Sequence, residues 1–231
     1  MTDYVLIHGA FHGGWCWRRV TPLLEAAGHT AIAPDLPGHG ADRGRAVTLD
    51  DYVDAVVGHV RRCAAPPVLV GHSMAGVIIA AACERAPELI RRLVFVTAYL
   101  PADGQSLDDL LRADPESLVR VMRGGADGFV AIRPDALVPA FYGDATEDDI
   151  AFVRKHLVPQ AIPPMKTPVR LTQERFGRVP RTYIGCRRDR AITHAPQTRM
   201  RTATPCERIV DLDCDHSPFV SAPRAPGSAI S

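Results

Sequence analysis

The residues whose types and spacing could do chemistry begin with Gly71-His72-Ser73-Met74-Ala75-Gly76. This run follows the apolar segment Val68-Leu69-Val70 and leads into small residues with helical spacing. A serine on a tight strand-to-helix turn stands at the tip of the strand, hydroxyl exposed, with a helix N-terminus beneath it. That placement suits a nucleophile for a carbonyl carbon. Gly71 and Ala75 are small, as backbone crowding in such a turn requires. Ala75 stands where a glycine is usual, with Gly76 next. The plainer alternative is a serine that only caps a helix.

A serine nucleophile needs a base, and the base needs an orienting carboxylate. In a chain whose nucleophile turn comes first, the acid and then the histidine are expected downstream. Asp189 lies in Cys186-Arg187-Arg188-Asp189-Arg190 and His216 in Asp213-Cys214-Asp215-His216-Ser217-Pro218-Phe219, each just past an apolar run. With arginines beside it, Asp189 has a second reading as a surface ion-pair residue, and Asp211, Asp213 and Asp215 are weaker candidates for the acid.

Upstream, His8-Gly9-Ala10-Phe11-His12-Gly13-Gly14-Trp15 follows the first apolar run. Its small residues let backbone N–H groups turn toward Ser73, so the N–H groups of Ala10 and Met74 are the expected oxyanion hole. The alternative is an ordinary glycine-rich turn. His8, His12 and His72 read as hydrogen-bonded groups that shape the site. His29, His39, His59, His156 and His194 read as loop or surface residues. No HExxH occurs, and Gly9, Gly13 and Gly14 argue against a helix presenting His8 and His12 together, so no metal is expected. GxGxxG and GxxxxGK[ST] are both missing, so no nucleotide cofactor is expected either.

Elements of the right kind surround these residues. Apolar runs at Tyr4 to His8, Thr30 to Pro34, Pro67 to Gly71, Leu93 to Thr97, Arg181 to Gly185 and Arg208 to Leu212 read as strands. Between them, helices are expected over Arg18 to Ala27, with Gly28 as its stop, over Ser73 to Arg85, and near Gln197. Thr48 is placed to cap another helix, with Leu49, Tyr52, Val53, Val56, Val57 and Val60 as its apolar stripe. Strands alternating with helices predict an α/β fold with a mostly parallel sheet covered on both faces. From Tyr99 to Val179 the rhythm breaks into amphipathic pieces, Leu107 to Arg112 and Glu147 to Leu157, and proline-rich connections. So long an interval is an insertion. Residues 1–98 and 179–231 are therefore expected to form the core, with 99–178 a helical lid over the C-terminal edge of the sheet.

The composition agrees. The 231 residues are 46% hydrophobic and 23% charged, which suits one globular domain with a large insertion. A net charge of +1 gives no footprint for nucleic acid or an anionic membrane, and no apolar run reaches the roughly 18 residues of a span. The N-terminus has no basic region followed by a long apolar one, so the chain reads as cytoplasmic, with its 6 cysteines as reduced, partly buried thiols.

The chain resembles the α/β-hydrolase superfamily, in the branch of plant methylesterases, hydroxynitrile lyases and small bacterial esterases. The resemblance rests on Val5-Leu6-Ile7-His8-Gly9-Ala10 with His12-Gly13-Gly14-Trp15, on Pro22-Leu23-Leu24-Glu25-Ala26-Ala27-Gly28-His29, and on the turn at Ser73. Phe141-Tyr142-Gly143-Asp144, Tyr183-Ile184-Gly185-Cys186-Arg187-Arg188-Asp189 and His216-Ser217-Pro218-Phe219 complete it. It implies a six-stranded core with a helical cap between the fourth and fifth strands, a Ser73–Asp189–His216 triad, no cofactor and a possible homodimer. Plant hydroxynitrile lyases carry Thr where Gly9 stands and Lys where Ser217 stands, so the chain sits on the esterase side. The expected reaction is hydrolysis of a small-molecule carboxylic ester, with a biosynthetic cyclase or lyase on the same triad as the alternative. Phe11, Trp17, Met122, Phe129, Phe141 and Tyr142, with Gly9 and His12, are the expected pocket, ordinary core packing being the other reading. Pro223, Pro226 and Gly227 interrupt the helix with which family members usually finish.

Overall fold

The computed structural model describes residues 1–121, 123–124 and 127–224. Its strands are β1 (Asp3–Ile7), β2 (Thr30–Ile32), β3 (Val68–His72), β4 (Arg92–Val96), β5 (Arg123–Gly124), β6 (Phe129–Ala131), β7 (Gln160–Ala161), β8 (Arg181–Cys186) and β9 (Arg208–Leu212). Six of them form one sheet in the order β2-β1-β3-β4-β8-β9, and every pairing in it is parallel. The four inner strands are almost wholly buried, as near-continuous Val, Leu and Ile runs require when both faces are covered. Strand order reverses between β1 and β3, which opens a crevice at their C-terminal ends where ligands bind in such sheets.

The helices are α1 (Thr21–Ala26), α2 (Leu49–Arg61), α3 (Ala75–Arg85), α4 (Leu107–Arg112), α5 (Pro134–Phe141), α6 (Glu147–His156), α7 (Pro163–Lys166), α8 (His194–Ala203) and α9 (Pro218–Ser221). Thr48 caps α2 through a reciprocal box with Asp51, and all six residues of the predicted stripe are buried. The first helix is shorter than expected. A 3-10 turn over Gly14–Trp17 precedes it, and α1 starts at Thr21 because Pro22 fits only a first helical turn. The insertion between β4 and β8 holds α4 to α7, but it also holds a small antiparallel sheet, β5-β6-β7, where only helices were expected. Strands of two or three residues are too short to show an alternating pattern. After His216 the chain forms the short α9, and Pro226 and Gly227 lie outside the described residues.

All six cysteines are free, and among the described residues no helix is long and apolar enough to cross a membrane. The helix that follows Ser73, α3, packs so closely on the sheet that a Cβ at Gly76 would stand 2.0 Å from the Tyr99 carbonyl oxygen.

Beneath the crevice lies a set of buried histidines whose protons are placed by their neighbours. Leu36 N–H donates to His8 Nε2 at 3.0 Å, so His8 carries its proton on Nδ1 and donates to the Gly9 carbonyl at 2.8 Å. His12 Nδ1–H donates to the Ala10 carbonyl at 2.7 Å, and its Nε2 meets the Tyr142 hydroxyl. His39 Nδ1–H donates to the His12 carbonyl at 2.6 Å, and its Nε2 accepts from Tyr52 at 3.1 Å; Tyr52 accepts from Gln160 at 2.9 Å. His39 is therefore an interior residue, not the loop or surface group expected, because its Nδ1–H and Nε2 both find partners inside. His72 Nε2–H donates to the His216 carbonyl at 2.9 Å. Burial, reinforced by neighbouring histidines, holds His8 and His72 well below the ordinary value of 6.5. Burial likewise brings His12 down to about 4 and lowers His39.

Two outcomes follow from this packing. Gly76→Ala should lose about 2 kcal/mol or more of stability in urea unfolding, because the Tyr99 carbonyl must move. An unchanged midpoint would show that α3 slides freely on the sheet. The four neutral histidines stabilise the fold fully above their unfolded pKa of 6.5, and that stability falls as pH drops below it. His8, His12 and His72 each contribute a slope approaching about 1.4 kcal/mol per pH unit, and His39 acts in the same direction. Unfolding free energies at pH 7.5, 6.5 and 5.5 should fall monotonically; a flat or rising series would mean that these rings take up protons in the folded state.

Candidate active site

Ser73 follows β3 at φ +54°, in the left-handed region that a non-glycine residue enters at a cost. Its carbonyl accepts from Gly76 N–H at 3.1 Å and Tyr99 N–H at 3.0 Å, which pins the turn to α3 and to the segment after β4. A Cβ at Gly71 would lie 3.0 Å from the Ala75 carbonyl oxygen, the crowding anticipated for a small residue there. The only other non-glycine residues at positive φ among those described are Phe11 at +69° and Thr97 at +35°. They follow β1 and β4, so all three strained residues stand at the C-terminal edge of the sheet.

Asp189 follows β8 and His216 follows β9, and neither side chain has any solvent exposure. His216 Nδ1 lies 2.6 Å from Asp189 Oδ2. The Thr97 hydroxyl donates to the same oxygen, and Gln197 Nε2 stands 3.5 Å from it. Asp189 Oδ1 accepts from Ala191 N–H at 2.7 Å and Ile192 N–H at 2.9 Å. Every one of these partners is a donor, so the carboxylate is held as an acceptor and His216 carries its proton on Nδ1. That leaves the Nε2 lone pair free, and Nε2 is buried with no hydrogen-bond partner among the described residues.

The surface ion-pair reading of Asp189 does not fit this burial. Arg188 instead pairs with Asp144 at 3.0 Å and Asp213 at 3.1 Å. Asp211 pairs with Arg201 at 2.6 Å. Asp215, next to His216 in sequence, points the other way: it exchanges backbone-to-carboxylate bonds of 3.0 Å with Asp144 and accepts from Ser217 N–H at 3.1 Å. It braces the histidine loop against the turn after α5, and burial raises its carboxyl pKa.

Ala10 and Met74 both line the cavity at Ser73. Among the described residues neither N–H has a hydrogen-bond acceptor. The aim of the first follows from His8. Its Nδ1–H holds the Gly9 carbonyl, and peptide planarity then turns the Ala10 N–H to the opposite side.

The cavity measures about 20 Å³, room for little more than a water. Of the expected pocket residues it brings Phe11 and Phe141 to its wall. Gly9 lies below it, where an added Cβ would be 2.8 Å from Ser73 Cβ. His12, Trp17 and Tyr142 do not line it: they are fully buried behind the wall, where His12 and Tyr142 satisfy each other. Phe129 belongs to β6, half-buried away from the cavity, and Met122 lies outside the described residues. Tyr99, Leu107, Leu111, Val119, Met165 and Ile192 line it without having been anticipated. Ile192 and Tyr99 follow directly on the Asp189 loop and β4, a signal that adjacency in sequence carries; the others come from the insertion, whose packing no local pattern reveals.

Comparisons with known proteins bear on the family and the fold. A protein named Esterase PIR7B from Oryza sativa subsp. japonica is 31% identical over 96% of this chain and 91% of its own length. A pyrethroid hydrolase from Sphingobium wenxiniae is 30% identical over 100% of this chain and 87% of its own. The crystal structure of polyneuridine aldehyde esterase superposes with a TM-score of 0.88 at 23% identity, covering 100% of this chain and 98% of that one, a likeness of fold. The family model described as the alpha/beta hydrolase family matches residues 4–226, and with its parallel sheet, strained serine turn and esterase relatives the chain belongs to that family.

Proposed function

We propose that the protein is an esterase that hydrolyses a carboxylic ester through an acyl-enzyme on Ser73. The observation that carries this reading is the buried Asp189–His216 pair, which leaves an imidazole nitrogen, Nε2, with a free lone pair. In this reading Nε2, which makes no hydrogen bond to the Ser73 hydroxyl in the free enzyme, takes the Ser73 proton as the hydroxyl oxygen attacks the ester carbonyl, the hydrogen bond between them forming when substrate is bound. The unpaired N–H groups of Ala10 and Met74 receive the oxyanion. Collapse of the tetrahedral intermediate expels the alcohol, which takes the proton from Nε2. Water then attacks the acyl-enzyme with His216 as base, releasing the acid and restoring Ser73. Asp189 fixes the tautomer and stabilises the imidazolium. The segment 99–178 serves as a lid, since Leu107, Leu111, Val119 and Met165 close the cavity.

The relatives named as an esterase and a pyrethroid hydrolase support ester hydrolysis. Gly9 supports it against the lyase alternative. A side chain there would press on Ser73 Cβ and His72, so this site has no space for the threonine of the hydroxynitrile lyases.

Ser73→Ala should fold as the wild type and lose turnover of a chromogenic acetate ester by on the order of a millionfold. A serine-directed phosphonate should label the wild type once, at Ser73. Labelling at another residue, or full activity in the variant, would contradict the assignment.

A further inference from the structure

Phe11 stands between two spaces. On one side is the cavity of about 20 Å³ at Ser73, which can hold neither half of an ordinary ester. On the other is an open groove of about 260 Å³, lined by Phe11, Ala131, Leu137, Leu157, Val158 and Arg154 among others. For scale, a dry cavity of roughly 150 Å³ holds benzene, so the groove suits a bicyclic ring. Phe11 is the residue the two linings share. It is held at φ +69°, and its carbonyl accepts from Val158 N–H at 3.0 Å, which ties its backbone to the groove and leaves its ring as the wall between the two spaces.

Two ring contacts connect the wall of the groove to His216. Phe141 stands edge-on to His216 with centroids 5.1 Å apart, and Phe11 stands edge-on to Phe141 at 6.5 Å. The leaving oxygen of an ester must lie on the His216 side of Ser73, because His216 returns the proton to it. On the groove's lining, Arg154 is exposed and, among the described residues, no carboxylate pairs with it. The groove is thus apolar along its walls, with an unmatched cation on its lining.

We infer that this groove is the subsite for the alcohol half of the substrate, an apolar aromatic alcohol bearing an anionic outer end, and that the Phe11 ring is the gate joining it to Ser73. The inference rests on the reading of Ser73 as an ester nucleophile. When the Phe11 ring swings, the two spaces merge, the alcohol moiety lies along Leu137 and Leu157, and its anionic group meets Arg154.

The test uses 6-hydroxy-2-naphthoate, the alcohol product of such an ester, followed by its fluorescence. Wild type should bind it saturably. Ala131→Trp, a change at an exposed wall position, should weaken binding at least tenfold, and Arg154→Gln should weaken it severalfold while leaving binding of 2-naphthol unchanged. In turnover, Ala131→Trp should lower kcat/KM for 2-naphthyl acetate at least tenfold, but not for methyl acetate, whose alcohol half is too small to reach the groove. Unaltered naphthoate binding in Ala131→Trp, or an equal loss of methyl acetate and 2-naphthyl acetate turnover, would overturn the subsite. A failure of Ser73 to react with phosphonate would instead remove the ester reading, and naphthoate binding alone would then decide the groove.

Discussion

The contact between Asp189 and His216 is the one on which the rest of this structure depends. A carboxylate with no solvent exposure has lost its water and must be repaid by donors. Here the donors come from four separate places: Thr97 after β4, the backbone N–H groups of Ala191 and Ile192, Gln197 on α8, and His216 after β9. Satisfying one carboxylate therefore fixes the relative positions of three strand ends and a helix. Gln197 extends the hold, because its amide also bonds the N–H and carbonyl of Cys186 at the end of β8.

The Ser73 side is fixed by sterics rather than charge. Ser73 and Thr97 adopt positive φ, and each is locked by partners that would be lost on relaxation: the Ser73 carbonyl bonds Gly76 and Tyr99, and the Thr97 hydroxyl bonds Asp189. Between the two sides sits His72, which links the serine turn to the histidine loop through the His216 carbonyl. Its neighbours His8, His12 and His39 are buried and neutral for the same reason, and each spends its protonated nitrogen on a backbone carbonyl. Four histidines thus act as fixed hydrogen-bond donors for loops that have no regular secondary structure of their own.

Much of this was legible in the residues, and the divide between legible and illegible has a physical cause. The strands, the Thr48 cap and the stripe on α2 announce themselves because their signals are local and periodic. Ser73, Asp189 and His216 are readable because each lies directly after a strand, so the sheet delivers them to one edge. The cavity wall was read less well. Trp17 and Tyr142 have the composition of pocket residues but pack behind it, while Leu107, Leu111 and Met165 reach it from an insertion whose fold is set by long-range packing. The small sheet β5-β6-β7 escaped for the same reason, since pairs of two residues leave no pattern. His39 was misplaced because nothing near it in sequence discloses that Tyr52 and the His12 carbonyl would bracket its ring.

The central claim is that Asp189 acts through His216 on Ser73, and the most direct measurement is the turnover of Asp189→Asn on a chromogenic ester beside Asp215→Asn. The amide at 189 keeps the shape but offers the imidazole the wrong tautomer, so turnover should fall by about ten-thousandfold. Asp215→Asn should retain most of its turnover, because that carboxylate bonds the Asp144 turn and not the imidazole. A near-normal rate in Asp189→Asn, with the large loss in Asp215→Asn instead, would contradict the account.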